Sequence, residues 1–483
     1  MHAYEPLPVP SFPWPRAERR AGLLTPVRGL QLALFGVSLL VYWFCVRRSA
    51  TYEGEMLLRV AESLFGNRPF HVQDPVYQLS QPFSPYPLGM SLLVAPLLAL
   101  GGNLSGDARL FAAILDPALS ALTLVVLHRL LMEVGLSARR SLSIALLYGF
   151  GTIAWAASGP LGAEPLRALT LTCTVLWLLF FERTEDRRWL AGAGGALAVA
   201  LLTGWEVVPL MALPLSVYLV YWIRKRSRPR LDWWLDLGAY LGPMLAALTV
   251  DAGYDLVRYG RVFGGFGATW AFIPWWRGAY AILVGPGAGL LLFVPVVLLS
   301  ALGAPAFYRK WRPEAVLVAG LLLIHLAFYS GVVQPDQSGW GPTGLLPVLP
   351  LLMIPIAFLP KHSWIRAVVV LLVASGVGIE LLEQVVPFGL YYQHLLQQAL
   401  PGIQDACPGC NRWQATVILS EQIRLDWAYW PFAAQLRLLL DGVADPLWKQ
   451  LVLFVPSGLC LLGVAFLQLR RLAAAVDSTP RLS

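Results

Sequence analysis

The chain has 483 residues, of which 57% are hydrophobic and only 13% charged, about half the charged share of a typical soluble domain. Apolar runs recur along nearly its whole length, which excludes disordered, fibrous, disulfide-scaffold and ordinary cytosolic classes and leaves an all-α, polytopic membrane protein. The net charge of +8 would suit a nucleic-acid binder, so the placement of the charges has to decide what it means.

Residues 1–29 carry five prolines between Pro6 and Pro15 and no apolar core, so they read as a Pro/Arg-rich tail rather than a signal peptide. A bilayer takes about 20 apolar residues per helix. Twelve segments approach that: 30–46, 110–131, 141–157, 168–181, 189–205, 207–223, 235–250, 279–302, 315–329, 345–359, 367–382 and 451–469. Leu88–Leu100, between Pro87 and Gly101, is too short and is expected to be a helix lying at the membrane surface. With the N-terminus inside, the inner segments hold 22 of the 36 basic residues, including Arg139–Arg140, Arg187–Arg188 and Arg309–Lys310. That bias is the positive-inside signature. It places both chain ends in the cytoplasm and makes the basicity a topology signal, with no nucleic-acid partner. The expected organisation is a transmembrane core over 30–382 with an outer loop 47–109, an extracytoplasmic segment 383–450, a last span 451–469 and a cytoplasmic tail 470–483. Residues 251–278 form a further outer segment.

The first outer loop opens with Tyr52-Glu53-Gly54-Glu55, and beyond it Met56, Leu57, Val60, Ala61 and Leu64 share one helical face. An amphipathic helix resting on the membrane follows, with Gly66 as its stop and Glu53 at an N-terminus that favours a carboxylate. A capping role and a chemical role are both open to that acid. Asp116, inside the second span, is a costly buried carboxylate, read either as a functional group or as the partner of Arg109 or a hydroxyl. Glu164, before Pro165, fits the start of the fourth span, and Glu206 reads as an interfacial residue between the fifth and sixth. The aromatics of 251–278 suit an interfacial belt better than a sugar platform. Gly285-Pro286-Gly287-Ala288-Gly289 follows no strand, so it reads as a helix break and not a dinucleotide loop. Cys407-Pro-Gly-Cys410 lacks the further ligands a zinc site needs, leaving a small disulfide in an oxidising compartment or two free thiols. The histidines form no cluster.

The order of these features resembles the GT-C superfamily of membrane glycosyltransferases, nearest to bacterial members of the protein-mannosyltransferase and aminoarabinose-transferase type. The similarity runs through Tyr52-Glu53-Gly54-Glu55 with Arg59-Val-Ala-Glu, then Tyr86-Pro-Leu-Gly-Met, Arg109-Leu-Phe and Glu164. It continues through Arg258-Tyr-Gly, Gly285-Pro-Gly-Ala-Gly, and Gly339-Trp-Gly-Pro with Leu345-Leu-Pro-Val-Leu-Pro. The family's first loop has Asp-Glu where this chain has Tyr52-Glu53, and arginines where Trp205 and Thr343 stand.

The resemblance implies an inverting transfer of a sugar from a polyprenyl-phosphate carrier to a hydroxyl at the outer face. Glu53 would be the base, Glu55 its reserve, and Glu164 a holder of acceptor or divalent cation. Arg109 would meet the lipid phosphate, with Tyr52, Tyr86, Arg258 and Trp340 among the substrate-binding residues. No cofactor is required and a divalent cation is allowed; the partners are the lipid-linked donor and membrane lipids, with no oligomeric state implied. A non-catalytic scaffold acting through 383–450 and a lipid or solute transporter are the alternatives. A transporter predicts polar groups at mid-membrane, and Asp116 alone stands so deep.

Overall fold

The computed structural model describes residues 26–44, 46, 51–72, 82–104, 107–225, 229–262, 271–333, 340–407, 409–410, 412–442 and 455–478. They are mostly helical. The first loop region gives α1 (Pro26–Phe44), α2 (Tyr52–Ser63), α3 (Gly89–Leu104) and α4 (Ala108–Ala112). The central bundle follows as α5 (Leu115–Glu133), α6 (Ala138–Gly151), α7 (Ala154–Ala157), α8 (Glu164–Thr184), α9 (Arg187–Leu201), α10 (Leu213–Lys225) and α11 (Arg230–Tyr259). Then come α12 (Trp275–Val284), α13 (Leu290–Phe293), α14 (Val297–Lys310), α15 (Arg312–Ser330) and α16 (Leu349–Leu352). The chain finishes with α17 (Ser363–Val385), α18 (Phe388–Ala406), α19 (Arg412–Leu425), α20 (Pro431–Leu440) and α21 (Val455–Ser478). Two short strands, β1 (Ala271–Phe272) and β2 (Val332–Val333), pair antiparallel and join the approach to α12 to the end of α15.

Five helical stretches among the described residues are long and apolar enough to cross a membrane: α1, Ala108–Glu133, α8, α15 and α17. The other expected spans are shorter, more charged or interrupted, so a count of twelve does not follow from helix length. Prolines account for most interruptions, because each removes a backbone donor and crowds the preceding turn. Segment 279–302 breaks at 285–289 into α12, α13 and α14. Segment 345–359, with Pro347, Pro350 and Pro355, folds as short helical turns. Segment 207–223 opens with a π-helical stretch, Val208–Ala212, before α10.

The main core gathers Leu124 and Leu127 of α5, Leu171 of α8, Leu197 of α9 and Tyr240 of α11, all fully buried. A second cluster sits at one end. There Met56, Leu57, Val60 and Ala61 of α2 meet Met90 and Val94 of α3 and Leu161 and Leu166 beside the start of α8. The apolar face of α2 is thus spent on protein rather than on the membrane surface. Each such side chain stabilises by roughly 1.5–3 kcal/mol when fully buried, and α3 offers a matching apolar face.

The two ends of the bundle are chemically distinct. At one, Arg183 pairs with Glu133, Arg187 with Asp232 and Asp236, and Tyr218 Oη donates to Glu314 (3.0 Å). There Asp477 of α21 also caps α6, accepting from Ala138 N–H (2.7 Å) and Arg139 N–H (3.2 Å). These are the segments that the charge bias assigns to the inner side. The opposite end carries α2, α3, the β1–β2 pair and α12, with α18–α20.

Candidate functional site

The site begins with the start of α2. Thr51 caps the helix, its Oγ1 accepting Gly54 N–H at 3.0 Å, which leaves Glu53 and Glu55 in the first turn. Gly54 is pressed against the second outer loop: a Cβ there would lie 2.9 Å from the Leu161 carbonyl oxygen. Glycine at this one position therefore lets α2 touch the loop that carries Glu164. That loop is anchored from below by Asp116, whose Oδ2 accepts Gly162 N–H (2.8 Å) at 1% exposure. Asp116 is accordingly a loop anchor, not a partner of Arg109. Glu164 opens α8 with Pro165 behind it, a position where proline's missing donor costs nothing.

One turn further, Arg167 forms an ion pair with Glu206 (Nη2 to Oε1, 2.6 Å), both side chains 8% exposed. The guanidinium also donates to Thr203 Oγ1 (2.8 Å) and to the Thr203 carbonyl (2.5 Å). Glu206 is therefore buried and paired, not interfacial. Beyond Glu206, the guanidinium feels Tyr329 and, more weakly, the charges of Glu164 and Glu53. Glu53 reaches this region because its turn of α2 meets the loop before Glu164 at Gly54. Gly89 N–H donates to Leu202 O (2.7 Å), which adds the start of α3 to the same junction.

The other expected residues lie elsewhere. Glu55 accepts from Arg59 Nε (2.8 Å) and from Arg109 Nη1 (3.0 Å), and Arg109 also pairs with Glu62 (3.2 Å). Arg109 and Glu55 form a surface network along α2, with the Arg109 side chain 51% exposed. Arg258 is buried and holds the segment before α3: it donates to Ser84 O (2.7 Å) and Tyr86 O (2.9 Å) and pairs with Asp255 (2.5 Å). Its guanidinium lies over the Tyr254 ring at 3.9 Å. Tyr86 meets Tyr52 edge-on, centroids 6.1 Å apart. Trp340 packs on Phe293 and donates to Glu380 Oε1 (3.3 Å), remote from the acids of α2. Cys407 and Cys410 are joined as a disulfide. Among the described residues no three His, Cys, Asp or Glu side chains are grouped to hold a metal, so no step below runs through one.

Sequence reasoning missed Arg167, Thr203 and Tyr329. The available signal was Arg167 itself, three residues after Glu164 on the same helix face and at the mouth of a span, where a lone cation needs a partner.

No protein-family model matches the chain, and no curated protein does. Solved structures resemble it. ArnT from Cupriavidus metallidurans in the apo state aligns with a TM-score of 0.50 and 16% identity, over 94% of this chain and 74% of that one. The same protein bound to undecaprenyl phosphate aligns at 0.48 and 16%, over 92% and 74%. The archaeal oligosaccharyltransferase AglB from Archaeoglobus fulgidus, in complex with an inhibitory peptide and a dolichol-phosphate, gives 0.45 and 12%, over 79% and 58%. At such identities the likeness is one of fold: the fold of this chain is similar to that of apo ArnT.

Proposed function

We propose that the chain is an inverting glycosyltransferase that moves a sugar from a polyprenyl-phosphate carrier to a hydroxyl acceptor at the outer face of the cytoplasmic membrane. The observation that supports this reading is the close approach of the first turn of α2, which carries Glu53, to the loop before Glu164 at Gly54 and Leu161, within a fold like that of apo ArnT. In the proposed step the acceptor oxygen attacks the anomeric carbon as the carbon–oxygen bond to the phosphate breaks. The lipid phosphate leaves with the bonding pair, and Glu53 takes the acceptor proton as general base. Glu164 orients the acceptor, and the Arg167–Glu206 pair holds the two loops in register. Arg109 reaches a phosphate only by exchanging contacts with Glu55 and Glu62, and Glu55 is the base in reserve. The excess of arginine and lysine in the inner segments supports an orientation with both chain ends in the cytoplasm.

The test is transfer of labelled sugar from a polyprenyl-phosphate donor by purified protein, with a melting curve as folding control. Glu53→Gln should lose transfer while staying folded. Full activity in the variant with Gln at positions 53, 55 and 164 would sink the mechanism. A second reading, a non-catalytic scaffold, is favoured by Tyr52 standing where the family has an acid and by Glu55 being tied to two arginines. It predicts a wild type that binds lipid but transfers nothing.

A further inference from the structure

One corner of the inner end departs from the pairing seen in the rest of it. Arg309 and Lys310 close α14, Arg312 opens α15, and Lys361 and Arg366 flank the start of α17. All five are exposed, and among the described residues no carboxylate pairs with any of them. Glu314, the acid nearest to Arg312 in sequence, accepts from Tyr218 Oη instead (3.0 Å). Elsewhere at this end Arg129, Arg183 and Arg187 all hold acids.

The fold joins the two basic turns although all of α15 lies between them in the chain. Ser300 Oγ of α14 donates to Leu352 O, and a Cβ on Gly303 would collide with Pro355 O, so α14 lies flush on residues 352–358. Phe307 then meets Phe358 (centroids 5.4 Å apart), and Lys310 Nζ stands over the Phe358 ring at 5.8 Å, just ahead of Lys361. Arg312 lies over Tyr308 at 5.5 Å, which keeps it beside the end of α14. Both α15 and α17 begin here, and neither has a side-chain cap on its first turn. Their open N–H groups and positive dipole ends add to the side-chain charge. The positive-inside rule asks only for an excess of cations in each inner loop. It does not ask that two loops be packed together or that acids be absent from both. The neighbours are those of a membrane rim: Tyr308 and Trp364 are exposed beside the charges, as aromatics are at headgroup depth. Further along α14 and α17, Leu302, Val370 and Leu371 are exposed and offer aliphatic surface to acyl chains.

We infer that this corner binds a phospholipid carrying two phosphates, the chemistry of cardiolipin, with one phosphate on each basic turn. The lipid supplies the counter-charge that carboxylates supply elsewhere at the same end. The inference rests on the membrane reading of the chain and not on sugar transfer, which has its own assay above. The experiment titrates the full chain in detergent micelles with cardiolipin, phosphatidylglycerol, phosphatidylcholine and inorganic phosphate, followed by native mass spectrometry. The wild type should bind cardiolipin most tightly, phosphatidylglycerol with its single phosphate more weakly, and the zwitterionic lipid least. Lys310→Gln with Arg312→Gln should weaken cardiolipin binding about 10–100-fold, because each cation near an anionic lipid is worth several-fold. Lys361→Gln with Arg366→Gln should do the same, and the charge-keeping pair Lys361→Arg with Arg366→Lys should bind as the wild type does. Arg188→Gln with Arg230→Gln removes equal charge from exposed positions on α9 and α11 and should leave binding unchanged. An equal loss in that control, or unchanged affinity in either Gln variant of the two turns, overturns the inference. Phosphatidylglycerol binding as tightly as cardiolipin overturns the two-phosphate assignment, and inorganic phosphate displacing the lipid at equal concentration overturns the lipid source. A chain that binds cardiolipin through these turns but transfers no sugar removes only the enzyme reading.

Discussion

The two ends of the bundle are built from the same residue types and use them differently. At the inner end, carboxylates and arginines neutralise one another across helix ends: Glu133 is shared by Arg129 and Arg183, and Arg187 reaches both Asp232 and Asp236. At the outer end such pairs recur, Arg167 with Glu206 and Arg258 with Asp255, but beside them stand Glu53 and Glu164, acids at helix starts near the junction of α2 with the loop before α8. The inner end therefore reads as clamp, and the outer end as clamp and proposed site together.

Perturbing that contrast should give effects of graded size. Arg167→Met strands Glu206 in a buried position, so it should destabilise by about 3–5 kcal/mol, seen as a large drop in melting temperature. Replacing Arg167 and Glu206 together by Met should restore most of it, and failure to do so would mean the pair is not the source. Glu53→Gln should leave melting unchanged while transfer falls by about 10²–10⁴, the usual contribution of a positioned base. Gly54→Ala forces α2 away from Leu161 O, costing about 1–3 kcal/mol by overpacking, and should reduce transfer by separating Glu53 from Glu164. An alanine variant indistinguishable from wild type in melting and turnover would contradict the close approach. Arg129→Gln at the inner end should do least, a small melting shift with transfer intact, because Glu133 keeps Arg183 and the Arg129 side chain is 41% exposed. A loss of transfer there would erase the division between the ends.

Much of this was legible in the sequence. The helical class, the helix over residues 56–64 and the break at 285–289 follow from hydropathy, period and proline. Glu53 and Glu164 were legible as acids at helix starts, since a cap and a short loop are local features. Their meeting point was not. Whether Arg167 faces Glu206 depends on how α8 and α9 pack, and no local pattern specifies that register. The same holds for α2, whose stripe fits a membrane surface and a neighbouring helix equally well; only α3's position decides. The contacts of Arg258 and Trp340 were equally illegible: Arg258 fastens the segment before α3 and Trp340 donates to Glu380.

The cap that Asp477 places on α6 has a consequence for how the protein is made. The amide groups of Ala138 and Arg139 wait for a carboxylate encoded 339 and 338 residues later. During synthesis α6 is inserted long before its first turn has this partner, and α21 must then slot between α1 and α6, which it contacts in the finished fold. That corner of the bundle is therefore a late joint, which cannot close until residue 477 has been made.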